Sequence, residues 1–469
     1  MKLLLTLTLT LTTLILQAKI WTVSPSGTYQ TANSVSGLVN NGDTVYIQAA
    51  LYSNHLQTTF SKDNLLIKGI NGRPRLEAGT SLANNPNGKA IFVISGNSCR
   101  LENIEFANAA VPDHNGAGVR QEGCALYVRD CYFNGNEMGI LGGALPNCKL
   151  TLEHNYFLNN GSTANPGYQH NIYIGHIDSF ICRYNYSINA IAQGHELKSR
   201  AYNNIIAYNF IANISTEDSR TIDLPNGGTA AIIGNIIEQG QNSSNSNLLG
   251  YGMEGLSNPG PHNLWVVSNT FINKKTTGSF IQTGGTADTL FVKNNLFLGA
   301  KTGGLITGTV NYKDSSNNLV SDILATGGFV STTNFNYHLQ SNSPAIDKGI
   351  TINKAARGYS LKPMVQYLDT ANFELRPSDG MLDIGAFEFQ KPTYIQKTGS
   401  HDLFLYPNPV LGNDFAINAP MASPFVIYSI DGRYVMGGIF VNERIDVTNL
   451  PAGIYCIKIN HQFLKFIKQ

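Results

Sequence analysis

A short segment with alternating apolar and polar positions recurs along the middle of the chain. An asparagine stands at the same place in most copies, ahead of an aromatic or aliphatic residue: Asn155, Asn185, Asn209, Asn235, Asn269 and Asn295, with gaps of 30, 24, 26, 34 and 26 residues. The alternation is that of a half-buried strand. A repeat of this length without helical patterning predicts a stacked β-solenoid. We expect the asparagines to form a structural ladder that bonds the backbone of the turns.

Departures from this repeat divide the rest of the chain into regions. Residues 1–18 indicate a secretory signal peptide, because one lysine is followed by a Leu/Thr-rich stretch and a small residue. That stretch is too short to span a bilayer, and we expect no membrane span elsewhere. The remaining regions are an N-terminal cap with the first rungs at 19–95, regular rungs at 96–312, C-terminal rungs with a closing cap at 313–390, a linker at 391–401 and a compact β-rich module at 402–469.

Composition narrows the classes of partner. The net charge is +1 and only 13% of the residues are charged, which favours neither nucleic acid nor an anionic membrane surface. We expect the protein to be a monomer. Of the six cysteines, Cys124 and Cys148 occupy equivalent places in successive repeats. This favours a ladder of buried thiols, although rungs about 4.8 Å apart would also permit a disulfide.

The densest cluster of polar and charged residues lies in 168–226. Aligning the apolar residues Ile172, Leu197, Ile222 and Met253 as inward positions makes their neighbours point outward. One predicted outward column is then Asn171, Glu196 and Thr221, and the next is Tyr173, Lys198, Asp223 and Glu254. His170, His195 and Arg220 would lie at the rim, with Arg200 one pleat beyond Lys198.

Such a set suits cleavage of an acidic polysaccharide by β-elimination. The uronate carboxylate must be neutralised by a cation or Ca²⁺, and a base must remove the neighbouring proton. A lysine can be this base when its pKa is depressed, and hard carboxylate oxygens are ligands that Ca²⁺ prefers. The hypothesis assigns Lys198 as the base, Arg200, Arg220 and His195 as acid or carboxylate partners, Glu196, Asp223 and Glu254 as Ca²⁺ ligands, and His170, Asn171, Tyr173 and Asn226 as sugar contacts.

Two alternatives use the same scaffold. Glu196, Asp223 and Glu254 provide enough carboxylates for a glycoside hydrolase, since neighbouring rungs can place two of them about 5 Å apart, as in retaining enzymes. The other alternative is a non-catalytic glycan-binding or surface protein, because a fold does not by itself imply an activity.

Several segments resemble secreted proteins of the pectate-lyase-like superfamily. They are Trp21–Gly27, Gly42–Val45, the repeats themselves, Ser343–Asp347 and Gly385–Glu388. The resemblance implies an all-β fold, a right-handed parallel β-helix.

Within the charged cluster, Glu196–Ser199 and Asp223–Gly228 resemble the core of the alginate lyase and chondroitinase B family. That resemblance implies a Ca²⁺-dependent lyase with a lysine base and an arginine acid. A Pro-Asn pair, Pro225 and Asn226, stands where the family has Arg-His. Arg200 and Arg220 are the nearest substitutes for the acid.

The C-terminal module is similar to the sorting domain of the type IX (Por) secretion system of Bacteroidota. The matching segments are Leu405–Pro409, Tyr428–Arg433 and Leu450–Tyr455. The resemblance implies a small β-sandwich-like domain that binds the secretion machinery and takes no part in chemistry. The protein would then be secreted or held at the cell surface.

Overall fold

The computed structural model describes residues 18–369, 371–377, 380–390, 403, 405–417, 419, 423–430, 434–440, 444–459 and 462–469. The described residues up to 390 form one compact unit, and those from 403 onward form another. The predicted linker and residues 1–17 of the predicted signal peptide lie outside the described residues. No helix in the described part of the chain is long and apolar enough to cross a membrane.

Three parallel β-sheet faces wind around a common core in the first unit. Face 1 contains Thr58–Phe60, Ala90–Ile94, Ala117–Gln121, Met138–Gly142, Ile172–Ile174, Leu197–Ser199, Ile222–Leu224, Asn247–Tyr251 and the start of Ser279–Lys293. Face 2 contains Ile20–Val23, Thr44–Gln48, Leu66–Ile70, Arg100–Glu102, Leu126–Arg129, Leu145–Glu153, Ile177–Arg183, Asn203–Ala207, Thr229–Ile233, Asn263–Val267 and the end of Ser279–Lys293. The strand Gly304–Asp314 pairs with Ser279–Lys293 on both faces, its start on face 1 and its end on face 2. Face 3 contains Leu51–His55, Arg75–Ala78, Glu105–Ala107, Tyr132–Asn134, Tyr156–Leu158, Tyr186–Ile188, Phe210–Ala212, Ile236–Gln239, Thr270–Asn273, Leu296–Gly299 and Leu319–Ser321. The predicted parallel β-solenoid is confirmed.

The interior is filled by apolar side chains that stack from rung to rung. Phe92, Phe106, Phe133 and Phe157 form one such stack, with ring centroids 5.1, 5.4 and 4.6 Å apart. Because each inward position repeats once per rung, an aromatic residue at one level meets its counterpart at the next.

The predicted asparagine ladder is present at the turn before face 3. In each step the backbone N–H and Nδ2 of one asparagine donate to Oδ1 of the next, as Asn235 does to Asn269 over 2.9 Å in both cases. Its Nδ2 also donates to the carbonyl of Ile206 over 2.8 Å. The ladder extends one step beyond the predicted set, to Asn318. It satisfies buried backbone groups that the tight turns would otherwise leave without partners.

The segment from Phe329 to Phe387 packs along the side of the solenoid. Phe329 and Tyr337 share an apolar cluster with Phe210, Ile236 and other outward residues of face 3. The N–H of Ala386 donates to Oγ1 of Thr270 over 3.0 Å. The apolar residues of this segment are therefore buried against the flank of several rungs, and the closing role predicted for 313–390 stays a prediction.

The remaining elements of this unit are short. They are the α-helices Asn33–Ser36 and Thr80–Ala83, the 3-10 helix Leu324–Gly327, and the antiparallel pairs Phe329–Ser331 with Asn336–Leu339, Ala355–Ala356 with Tyr359–Ser360, and Val365–Leu368 with Asn372–Leu375.

Cys124 and Cys148 form a disulfide, with Cα atoms 4.6 Å apart. The prediction of a thiol ladder was wrong for this pair, because equivalent places on successive rungs bring the two sulfur atoms within bonding distance. Cys99, Cys131 and Cys182 are buried free thiols.

The second unit is a small antiparallel sandwich. One sheet contains Leu405–Tyr406, Asp414–Ile417 and Arg444–Asp446, and the other contains Tyr434–Ile439, Pro424–Ser429, Gly453–Ile459 and Gln462–Lys468. Residues of both sheets share one apolar core, in which the rings of Phe415 and Phe466 lie 4.8 Å apart. The predicted β-sandwich-like module is confirmed.

Candidate functional site

Three short strands of face 1 carry the centre of the charged cluster. In Ile172–Ile174, Leu197–Ser199 and Ile222–Leu224 the first residue is buried in the core and the middle residue lies on the outer side. Tyr173 pairs with Lys198, and Lys198 pairs with Asp223. The predicted outward column of these three residues is confirmed.

Asp223 is surrounded by nitrogen atoms although its side chain is only 2% exposed. Its Oδ2 atom lies 3.6 Å from Lys198 Nζ and 3.6 Å from His195 Nε2, and its Oδ1 atom lies 3.6 Å from Arg220 Nη1. Burial raises the pKa of Asp223 above its ordinary value, despite the opposing effect of Arg220 and Lys198. Oδ1 is buried and accepts no hydrogen bond from the described residues.

Glu254 reaches the column from a loop. Lys198 Nζ lies 2.7 Å from its Oε1 atom, and Arg200 Nη2 lies 2.8 Å from its Oε2 atom. Burial raises the pKa of Glu254, but hydrogen bonds from Lys198 and Arg200 lower it by more, and the net pKa lies below the ordinary value. Glu254 is therefore an ionised carboxylate held by two cations.

The predicted register of Glu254 was wrong. Ile222 pairs with Leu249 rather than with Met253, and Asp223 pairs with Gly250. Glu254 follows the end of the strand Asn247–Tyr251. The longer spacing of this repeat is taken up by the loop after the strand, so aligning Met253 with the inward column shifted the register by four residues.

Arg200 donates hydrogen bonds to two of the residues that were predicted to contact the sugar. Its Nε donates to the hydroxyl of Tyr173 over 3.0 Å, and its Nη1 donates to Oδ1 of Asn226 over 2.7 Å. Asn226 in turn donates from Nδ2 to Oγ of Ser257 over 2.8 Å. Because every nitrogen of the guanidinium has a partner, its position is fixed relative to Lys198 and Asp223.

His170 and His195 are buried rather than exposed at a rim. Their rings stack 4.9 Å apart. Nδ1 of His170 accepts from the N–H of His195 over 3.0 Å, and Nδ1 of His195 accepts from the N–H of Arg220 over 3.0 Å. Burial lowers the pKa of both, that of His195 to about 3. Both rings are therefore neutral at pH 7, and they support the cluster from beneath instead of supplying a cation.

Asn171 and Glu196 point into the solenoid, which overturns their predicted outward orientation. Glu196 Oε2 accepts from Asn171 Nδ2 over 2.6 Å and from Ser187 Oγ over 3.1 Å, while Oε1 accepts from the N–H of Ala190 over 2.7 Å. The strands begin at Ile172 and Leu197, so strand alternation does not apply to the residue before them.

These positions do not assemble the predicted calcium site. Within the described ranges, no group of three or more His, Cys, Asp or Glu residues is placed to hold a metal ion. Glu196 is occupied inside the core, and Asp223 and Glu254 already face Lys198, Arg200 or Arg220. A cation would have to compete with these positive groups, so the donor set does not fit Ca²⁺.

Asn247 and Gly250 lie against Arg220, and neither was singled out from the sequence. Arg220 donates from Nε to Oδ1 of Asn247 over 3.2 Å and lies over Gly250. A Cβ atom at Gly250 would meet Arg220 Cδ at 2.7 Å and Asp223 Oδ1 at 2.9 Å. Gly250 could have been identified from its strand pairing with Asp223, but that pairing follows only from the correct register.

The site as a whole is cationic. Lys198, Arg200 and Arg220 face the two carboxyl groups of Asp223 and Glu254, with neutral histidines beneath. In a chain of net charge +1 this local excess favours an anionic ligand.

Comparison with known proteins bears first on the C-terminal unit. Residues 404–469 match the family of secretion system C-terminal sorting domains. This chain carries a sorting domain. The sorting domain belongs to the type IX system, so the protein is secreted or placed at the cell surface, as predicted.

The first unit is similar in structure to pectate lyase Pel9A, with a TM-score of 0.52 and 13% identity over 79% of this chain and 96% of that one. It therefore has the pectate-lyase-like β-helix fold. A pectin methylesterase from Aspergillus niger is 11% identical over 65% of this chain and 88% of its own, with a TM-score of 0.29. The pectin methylesterase PemA from Erwinia chrysanthemi is 11% identical over 62% of this chain and 80% of its own, with a TM-score of 0.30. These two likenesses are too weak to bear on the topology. No curated protein matches the chain by sequence.

Proposed function

We propose that this protein is an exported polysaccharide lyase that cleaves a uronate-containing polysaccharide by β-elimination. The observation that carries the proposal is the position of Lys198, which lies on the outer side of face 1 with its side chain 11% exposed. Asp223 is its neighbour on the next rung, and Glu254 bridges it to Arg200. A lysine amine held at a fixed place on the face can act as a general base.

The chemistry assigns each group a step. As the base, Lys198 Nζ takes the proton from the carbon beside the uronate carboxylate, a step that requires its free-amine form. The electrons of that C–H bond form a carbon–carbon double bond, and the glycosidic carbon–oxygen bond breaks. Arg200 neutralises the carboxylate, which makes the proton more acidic. The leaving oxygen takes up a proton from solvent water, and Arg220 lies on the Asp223 side of the column to stabilise the charge that develops there.

The remaining predicted residues act indirectly. Tyr173 and Asn226 hold the guanidinium of Arg200. His195 bonds the backbone of Arg220 and faces Asp223, while His170 bonds the backbone of His195. We assign both histidines to positioning, because neutral rings cannot stabilise an anion as cations do.

The test uses the full chain on alginate, pectate, glucuronan and glycosaminoglycans, with added Ca²⁺ or with chelator. Ultraviolet absorbance of the unsaturated uronate measures β-elimination. We expect a rise that Lys198→Ala abolishes. Lys301→Ala is the matched control, since Lys301 pairs with Asp322 on an exposed turn and its loss should leave the rate unchanged. An equal rate in Lys198→Ala would exclude Lys198 as the base.

A glycoside hydrolase is the second candidate, and one observation favours it. The pKa of Asp223 is raised while that of Glu254 is lowered. Two carboxyl groups whose pKa values are shifted in opposite directions within one site are the pattern of the acid and the nucleophile or base of a hydrolase. In the same experiment a hydrolase would release reducing ends without absorbance, and both Asp223→Asn and Glu254→Gln would stop it. Neither signal on any substrate would favour a glycan-binding surface protein.

A further inference from the structure

The carboxylate of Glu254 binds two cations of the site, Lys198 and Arg200, and is more exposed to solvent than either of them. Each of its oxygens meets a different cation, Lys198 Nζ at 2.7 Å and Arg200 Nη2 at 2.8 Å. Two such charge-assisted bonds to one carboxylate are the geometry by which proteins recognise carboxylate ligands. The pair Lys198 and Arg200 is therefore already arranged as a carboxylate-binding position, with a side chain of the protein in it.

Exposure indicates which partner can leave. The side chain of Glu254 is 45% exposed, whereas those of Lys198 and Arg200 are 11% and 18% exposed. The cations belong to strands or their ends on face 1, while Glu254 belongs to the loop after Asn247–Tyr251. Glu254 thus lies on the solvent side of two cations that are fixed by the solenoid.

The backbone beside Glu254 is held in place, since the N–H of Gly252 donates to the carbonyl of Leu224 over 2.8 Å. Gly252 and Gly255 flank the turn with φ of +69° and +96°, a conformation that glycine adopts without strain. No other group lies within 4 Å of the place where a Cβ of Gly255 would be. The N–H of Glu254 donates to the carbonyl of Pro225 over 3.0 Å, so rotation of the side chain can empty the position while the backbone stays in place.

We propose that Glu254 is an internal substitute for a sugar carboxylate, and that the Lys198–Arg200 pair is the uronate-binding position of this site. A uronate that displaces Glu254 keeps its carboxylate on Arg200 and brings the neighbouring carbon next to Lys198 Nζ, which takes the proton in its free-amine form. This inference rests on the proposed function and adds the binding position and the competition by Glu254. Glu254 restricts the groove to ligands whose carboxylate competes with its own.

The test is a binding measurement that needs no turnover. Trisaccharides of galacturonate, mannuronate and glucuronate, and their carboxyl-reduced neutral counterparts, are titrated by calorimetry into the full chain, and mass spectrometry checks that each stays intact. We expect Glu254→Gln to bind at least one acidic trisaccharide about fivefold more tightly than the unaltered protein, because the competing charge is removed. The reduced trisaccharides should show no such gain, and Arg200→Gln should lose the preference for acid.

Glu217→Gln is the matched control. Glu217 is exposed and accepts a hydrogen bond from Gln193, so its change removes the same charge without altering the site, and binding should match that of the unaltered protein. Unchanged or weaker binding of every acidic trisaccharide by Glu254→Gln would overturn the inference, as would a gain that the reduced sugars share. Tighter acid binding without any unsaturated product would support the carboxylate position and refute the lyase. Unsaturated product, without tighter acid binding by Glu254→Gln, would support the lyase and refute the carboxylate position.

Discussion

Asn171 donates from Nδ2 to Oε2 of Glu196 over 2.6 Å, and through this bond a buried asparagine ladder ends on an acid. The ladder begins at Asn136, whose Nδ2 donates to Asn160 Oδ1 over 3.0 Å, and Asn160 donates likewise to Asn171 over 2.8 Å. It is separate from the predicted ladder, and it ends on a buried carboxyl group at the residue immediately before the strand that carries Lys198.

This burial predicts a pH-dependent contribution to stability. Desolvation raises the pKa of Glu196, and also that of Asp218, which the charge of Glu196 raises further. A carboxyl group whose pKa is higher in the folded state binds more protons there, so its contribution falls as pH rises above the ordinary glutamate value of 4.5. The Glu196→Gln variant should therefore gain stability relative to the unaltered protein as pH increases. Urea unfolding at several pH values measures this difference.

The control for this measurement is Glu217→Gln, whose difference from the unaltered protein should stay nearly constant with pH because Glu217 is exposed. A pH-independent difference for Glu196→Gln would show that Glu196 titrates normally in the fold.

The predicted ladder should be a major source of stability. Asn235→Ala removes a donor to Asn269 and to Ile206 and an acceptor for the N–H of Asn209. These groups are buried, and leaving them without partners costs about 2–4 kcal/mol of the free energy of unfolding. Denaturant unfolding measures the loss. Asn242→Ala, at an exposed position, should change stability by less than about 0.5 kcal/mol, and equal losses in both would argue against the ladder.

Gly250 should be required for the position of Arg220. In Gly250→Ala the added methyl group displaces the Arg220 side chain, which is flexible enough to move without unfolding the rung. We expect kcat/KM on the acidic polysaccharide to fall about tenfold with little change in thermal stability. Gly37→Ala is the control, because nothing lies within 4 Å of its added atom. An unchanged kcat/KM would mean that Arg220 plays no part in the site.

The disulfide should stabilise the early rungs. Cys124 and Cys148 close a loop with a sequence separation of 24, and a crosslink of this length contributes about 3 kcal/mol by restricting the unfolded chain. The double variant Cys124→Ser with Cys148→Ser should lower the midpoint of unfolding, and reductant should do the same for the unaltered protein. Peptide mapping without reductant should recover the crosslinked pair, and its absence would contradict this pairing.

Much of the fold was predictable because its determinants are local and repeat. Asn155 to Asn295 mark the same turn in successive rungs, and each bonds only its own and adjacent turns. The C-terminal module likewise carries its short motifs in contiguous segments. The lateral packing of Phe329 and Tyr337 was missed because it joins residues far apart in sequence, for which no repeat gives a register.

The candidate site was predicted in part. Tyr173, Lys198 and Asp223 follow the strand alternation and form one column. Glu196 departs from it because it precedes the strand, and its carboxylate is bound within the core. Glu254 enters the site from a loop, so its contacts with Lys198 and Arg200 depend on the path of the backbone rather than on a count of residues.

By itself the sequence determined the solenoid, its asparagine ladder, the sorting domain and the outward column, since each follows from residue spacing or a contiguous motif. Only the tertiary structure decided which carboxyl groups face the groove, that both histidines are neutral, and that Glu254 covers the cations. Burial and charge pairing depend on the three-dimensional surroundings of a side chain, and where a loop returns to a sheet is set by packing that no local pattern encodes.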